Sequence, residues 1–154
     1  MQQPILAGAA APRTKASNYP APFAARMAGR SKRPLGDLFA LKSFGVNLTT
    51  LLPGGTSSLF HRHSVQDEFI FMLEGELVLV TDAGEHELRP GMCFGFPAGG
   101  TAHHLINRSD KEATYLEIGD RRAGDEVFYP NDDLQAALGP ERQWIFTRKD
   151  GTPY

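Results

Sequence analysis

The stretch 55–75, GTSSLFHRHSVQDEFIFMLEG, constrains this chain more than any other part of it. His61 and His63 are one residue apart, and Glu68 follows after four more. In a strand, residues i and i+2 share a face. The two imidazoles therefore point one way and Arg62 the other. Glu68 opens the next apolar run across the short connection 64–67, and an antiparallel neighbour brings its carboxylate beside the two rings. Gly75 supplies a tight turn at the far end of that run. All five histidines lie between His61 and His104. Two imidazoles and a carboxylate aimed into one cavity form the pattern of a mononuclear metal pocket inside a small β-barrel.

The rest of the chain fits that frame. From Phe39 onward, short runs with strand character alternate with turn signals such as Pro53-Gly54-Gly55, Asp82-Ala83-Gly84 and Arg89-Pro90-Gly91, the signature of an all-β sandwich or barrel. The pattern predicts strands over 44–52, 57–63, 67–73, 76–81, 85–88, 92–96, 103–107, 112–120, 125–129 and 144–147. Asp132 to Leu138 reads as a short helix, with acids at its start and Gly139-Pro140 as its stop. Residues 1–38 form an N-terminal arm, partly irregular, in which Phe23, Met27 and Leu35 are candidate anchors. Residues 39–154 form the barrel with a C-terminal extension. The aromatic and aliphatic residues Phe60, Phe69, Phe71, Leu77, Leu79, Phe94, Phe96, Leu105, Tyr115 and Ile118 are the core candidates. Tyr115 and Glu117 share a face by alternation. That face is either exposed or turned into the pocket.

Charge and cysteine usage narrow the functional classes. Residues 1–36 carry six basic residues and no acid, whereas the remainder carries ten basic and eighteen acidic residues. The leader lacks the dense basic clusters and interleaved aromatics of a nucleic-acid surface. It reads as a cationic arm packing on an acidic body. The single cysteine, Cys93, excludes an internal disulfide and a Cys-based zinc cluster, and it reads as a core residue. No apolar run approaches the roughly 18 residues that span a bilayer. The expectation is a cytoplasmic protein with no nucleic-acid and no membrane partner.

The histidine-bearing segments resemble the cupin superfamily. Its first motif, G-x5-H-x-H-x4-E-x6-G, is matched at Gly55, His61, His63, Glu68 and Gly75. Its second, G-x5-P-x-G-x2-H-x3-N, is matched at Gly91, Pro97, Gly99, His103 and Asn107, with one extra residue between Gly99 and the histidine. The resemblance covers about 44–119. It implies a cupin jelly roll, a double-stranded β-helix barrel, here with the N-terminal arm and the short C-terminal helix. It also implies a metal site of His61, His63, Glu68 and His103, with His104 the alternative to His103. Spacing to Asn107 favours His103.

Neutral imidazoles with one carboxylate suit Mn, Fe, Ni, Co or Zn and do not suit Mg or Ca. Asn107 itself reads as a loop anchor. Small single-domain bacterial cupins of this kind include some labelled as sugar-phosphate isomerases. Cupins host binders and regulators as well as enzymes. The first expectation is a metal-dependent enzyme on a small organic substrate, with isomerase, dioxygenase or decarboxylase chemistry left open. The alternative is a non-catalytic small-ligand-binding or sensory cupin. Exposed edge strands, the long flanks and the habit of small cupins point to a homodimer.

Overall fold

The structure, a computed structural model, describes residues 3–15 and 17–154. Twelve strands run in chain order: β1 (Arg30–Pro34), β2 (Phe44–Leu51), β3 (Arg62–His63), β4 (Glu68–Glu74), β5 (Leu77–Thr81), β6 (Gly84–Leu88), β7 (Cys93–Phe96), β8 (His103–Ile106), β9 (Ala113–Asp120), β10 (Glu126–Phe128), β11 (Gln135–Leu138) and β12 (Trp144–Thr147). They form a five-stranded sheet in the order β1-β2-β9-β4-β7, a three-stranded sheet β6-β5-β8, and a four-stranded sheet β12-β11-β10-β3. Every pairing is antiparallel. The two smaller sheets are stitched together where residues 56–61 bridge to β8, through Thr56 with Ile106 and His61 with His103. That stitched layer and the five-stranded sheet enclose the barrel, the cupin jelly roll that the sequence predicts.

Two elements differ from the sequence expectation. The segment predicted as a C-terminal helix is strand β11, paired with β10 and β12. Leu134 and Ala136 are buried there, and Asp132 and Asp133 are spent on Arg26 and the Lys149 amide rather than on a helix start. Tertiary pairing overrides the local helix preference. The run 57–63 is regular only at Arg62–His63. Before that it makes single bridges to β8, because its polar groups bond sideways: the Ser57 amide reaches the Leu105 carbonyl and the Ser57 hydroxyl accepts from the Leu105 amide.

The polar stretch Arg30–Pro34, within the N-terminal 38 residues, adds β1 to the edge of the five-stranded sheet through its pairing with β2. Farther upstream, Phe23 and Met27 are buried against Leu59, Val127, Tyr129, Leu134 and Ala136. Each such burial contributes about 1.5–3 kcal/mol. The N-terminal segment is therefore tied to the C-terminal sheet.

The main core lies between the sheets and includes Leu51, Ile70, Met72, Leu79, Leu105 and Tyr115. Of the other core candidates, Phe60, Leu77 and Phe96 are buried. Phe69 and Phe94 are exposed, and Phe71 and Ile118 are half-buried. Cys93 is exposed rather than in the core, because alternation along the edge strand β7 sets it on the same side as Phe71, its partner in β4. Gly75, between β4 and β5, has φ +72, and a Cβ there would meet the Glu112 carbonyl oxygen at 2.5 Å. Only glycine fits that turn. Among the described residues no helix is long and apolar enough to cross a membrane.

Candidate metal centre

Three parts of the chain converge at one end of the barrel. His61 and His63 lie on and just before β3, Glu68 opens β4, and His103 opens β8. His61 and His103 exchange both backbone hydrogen bonds, at 3.1 and 2.8 Å, which fixes their side chains next to each other. The three Nε2 atoms of His61, His63 and His103 lie 3.5, 3.6 and 3.1 Å from a single atom, Glu68 Oε2.

The opposite side of each ring determines what those nitrogens are. Nδ1 of His61 lies 2.9 Å from the Leu59 carbonyl, Nδ1 of His63 lies 2.5 Å from Asp125 Oδ2, and Nδ1 of His103 lies 3.4 Å from the Thr101 carbonyl. Carbonyl and carboxylate oxygens only accept, so in each neutral ring Nδ1 can hold the ring proton and leave a lone pair at Nε2. Glu68 Oε2 is itself buried without a hydrogen-bond donor.

In that tautomer four electron pairs face one another, an arrangement that repels unless a cation, a metal ion or a proton, sits at its centre. Ligand distances of about 2.0–2.2 Å around a first-row ion set neighbouring donors about 3–3.5 Å apart, close to the spacings around Glu68 Oε2. The ligating atoms of His61, His63 and Glu68 all lie within 4.8 Å of one another, and this group can hold a metal ion.

The electrostatics show the same pull toward positive charge. Burial raises the Glu68 carboxyl, but the imidazoles of His103 and His61 more than offset it and hold Glu68 well below the usual carboxylate range. Burial pushes His61 down, keeping its ring neutral. For His63 burial acts the same way, yet the Asp125 carboxylate reverses it and the net shift is upward.

Asp125 is the residue the sequence reading missed. It is buried, and it sits 62 positions from His63 with no spacing signal to join the two. Its Oδ2 accepts from His63, while its Oδ1 accepts from the amides of Val65 at 2.8 Å and Gln66 at 3.2 Å. One carboxylate therefore orients a ring and shapes the turn leading to Glu68. Rings brace the other two histidines: Phe96 stacks on His103 with centroids 3.4 Å apart, and Tyr129 stacks on His61 at 6.1 Å.

His104 faces the other way, edge-on to Phe60 at 5.5 Å, and it does not line the cavity. His86 is exposed. Asn107 is fully buried and anchors its loop. Its Nδ2 donates to the carbonyls of Leu51 and Lys111, and its Oδ1 accepts from the Ser109 amide.

The ligand atoms lie in a cavity of about 300 Å³. Its wall draws on both flanks of the barrel: Arg13, Lys15 and Tyr19 from the N-terminal segment, and Tyr129, Trp144 and Phe146 from the C-terminal one. Tyr115 and Glu117 turn into it, as one reading of their alternation allows. Arg30, Lys32 and Arg121 bring the cationic side chains of the lining to five, against the carboxylates of Glu68, Glu117 and Asp120.

A family model for the cupin domain matches residues 47–119. No curated protein matches the chain. Among solved structures, a sugar phosphate isomerase of the cupin superfamily from Silicibacter pomeroyi is 42% identical with a TM-score of 0.91, over 99% of this chain and 96% of that one. A candidate sugar phosphate isomerase from Acidithiobacillus ferrooxidans is 27% identical with a TM-score of 0.73, over 81% of this chain and 80% of that one. A polyketide cyclase from Streptomyces resistomycificus, 20% identical with a TM-score of 0.64 over 78% and 80% of the two chains, shares the fold. With its jelly roll, both histidine motifs and a relative matching nearly end to end, the chain belongs to the cupin superfamily.

Proposed function

We propose that this protein is a metal-dependent isomerase of a small phosphorylated sugar, with one first-row divalent ion held by His61, His63, Glu68 and His103. The observation that carries the reading is the convergence of three imidazole nitrogens on one buried carboxylate oxygen at a cavity with a largely cationic lining. His103 rather than His104 completes the set, since His104 turns toward Phe60. Such an ion polarises a carbonyl and stabilises negative charge on the oxygen of a sugar.

The chain's own groups do the rest. Asp125 and the Leu59 and Thr101 carbonyls hold the ring protons on the far side of the ligands. Phe96, Tyr129 and Trp144 line the cavity and exclude water from one side of it. Arg13 and Lys15, both exposed, and Arg121 supply positive charge for a phosphate. A volume of about 300 Å³ suits a small molecule. The likeness to a protein described as a sugar phosphate isomerase at 42% identity supports the same substrate class.

Elemental analysis of protein purified without chelators tests the metal, and turnover of aldose and ketose phosphates after reconstitution with Mn, Fe, Co, Ni or Zn tests the reaction. Stoichiometric metal and interconversion of one such pair are expected. Absence of metal binding overturns the reading. Sugar phosphates that bind without being converted would favour a non-catalytic binding cupin.

We also propose a homodimer formed through the outer face of the five-stranded sheet. Phe44, Phe69 and Leu73 are 43%, 38% and 39% exposed there. The half-buried Val46, Phe71, Leu116 and Ile118 lie between them. A two-fold axis sets such a face against itself, which an uncharged patch tolerates.

A further inference from the structure

The metal ligands account for only part of the inner face that lines the cavity. Across β2 in the five-stranded sheet, Lys32 of β1 and Glu117 of β9 form a two-pronged ion pair, with Nζ 2.6 and 2.8 Å from the carboxylate oxygens. Their side chains are 16% and 19% exposed, and what remains exposed faces the cavity. Two neutral groups flank the carboxylate: Asn47 Nδ2 and the Tyr115 hydroxyl each lie 3.5 Å from it.

Strand register sets the distance to the metal centre. Ile70 pairs with Glu117, and Glu68 pairs with Gly119. Glu117 is therefore the diagonal neighbour of Glu68 on the same face, about 7–8 Å away between backbone positions. A molecule with one oxygen turned toward the imidazole cluster has Glu117 on the same face of the cavity as its neighbouring carbons.

Stability alone is a weak reason for such a pair. Desolvating two charges costs about as much as their attraction returns, and apolar residues of similar volume often do as well. Burial pushes Lys32 below the usual range of a lysine, partly offset by Glu117, and a perturbed titratable group in a cleft is the mark of a functional site.

We infer that Lys32 and Glu117 are the acid–base pair of the cavity, acting on the two carbons of an α-hydroxy carbonyl sugar phosphate. The inference rests on the isomerase reading above. The Glu117 carboxylate takes the proton from the carbon bearing the hydroxyl. The C–H electron pair becomes the new carbon–carbon π bond, and the carbonyl π pair moves onto its oxygen, which takes a proton from the Lys32 ammonium. In the second half the neutral Lys32 amine takes the proton of the neighbouring hydroxyl, and that oxygen's electron pair re-forms a carbonyl. The carbon–carbon π pair then takes up the proton held by Glu117 at the carbon that was the original carbonyl. Both groups return to their starting states, and no oxidant or reductant is consumed.

The test uses the full chain loaded with metal and three variants, E117Q, K32M and the doubly neutral K32M/E117Q, which leaves no unpaired buried charge. Metal content and the affinity for a hexitol 6-phosphate, which has no carbonyl to react, are measured by elemental analysis and calorimetry. Turnover of aldohexose and aldopentose phosphates is followed in deuterated water, with deuterium incorporation next to the carbonyl read by NMR. All three variants are expected to keep metal and hexitol phosphate binding within about twofold. They should lose about 10²–10⁴-fold in turnover and, with it, deuterium incorporation. Turnover within threefold of wild type in folded variants overturns the acid–base role and leaves the isomerase reading standing. Binding of the hexitol phosphate without any turnover by the wild type overturns both.

Discussion

Along β4, Glu68, Ile70 and Met72 point into the barrel, while Phe69, Phe71 and Leu73 point out. The neighbouring strands repeat the division. β2 and β9 send Asn47, Thr49, Tyr115 and Glu117 inward, and Phe44, Val46, Leu116 and Ile118 outward. An antiparallel sheet with one solvated face ordinarily reads apolar inside and polar outside. Here the inner face is apolar only where it meets the main core. Toward the candidate metal centre it becomes a charged, hydrogen-bonded floor, and the outer face carries Phe44, Phe69 and Phe71. The difference teaches that burial and polarity are uncoupled in this sheet. Lys32 is tolerated in that interior because it is paired with Glu117 at 2.6 Å.

Substitutions can break that contrast. The largest effect is expected from Glu68→Gln on the inner face. It replaces the one anionic donor with an amide, and elemental analysis should find less than about a tenth of wild-type metal under conditions where the wild type is saturated, with turnover lost in parallel. Next is Asn107→Ala, which takes the side-chain donor from the Leu51 carbonyl and the acceptor from the Ser109 amide. Denaturant unfolding should show a loss of about 1–3 kcal/mol. Asp125→Asn keeps the shape of the group that braces His63 and removes its charge. Metal affinity measured by competition with a chelator should fall about 10–100-fold, with the far-ultraviolet circular dichroism unchanged.

The smallest expected effect on the metal centre comes from the outer face. Phe69→Glu should convert the proposed dimer to a monomer in sedimentation and leave metal content unchanged. A monomeric wild type at micromolar concentration would remove the reason for the outer aromatics. Loss of metal in Phe69→Glu would show that the two faces are coupled.

A pH titration sharpens the inner side of the comparison. Proton binding at Nε2 competes with the ion. Of the two rings on β3, His63 is pushed up and His61 down. His63 therefore protonates first as pH falls, and metal retention should decline through the titration range of His63 before His61 takes a proton. Retention unchanged down to pH 4 would rule out imidazole ligation.

The two motifs were legible because glycine, histidine and period-2 alternation speak at short range. The ring positions of His61 and His63 follow from spacing, and that of Glu68 from the turn. β1 was not legible: Arg30–Pro34 is charged and ends in proline. Its buried side chain, Lys32, is stabilised by an ion pair with a residue 85 positions away, so no apolar signal marks the strand. Asp125 escaped for the same reason. β11 was misread because Leu134 to Leu138 is helix-favouring by composition and is decided by its neighbours.

The cavity wall is also assembled from segments that the cupin-domain match at 47–119 does not include. Arg13, Lys15, Tyr19 and Lys32 come from before it, and Asp125, Tyr129, Trp144 and Phe146 from after it. The four donor residues lie within the match, and much of the wall around them does not. Exchanging the two flanks between related barrels would remodel the cavity wall and, through Asp125 and Tyr129, the bracing of His63 and His61 as well. A chain trimmed to the matched residues would keep His61, His63, Glu68 and His103 and lose much of the wall that encloses them.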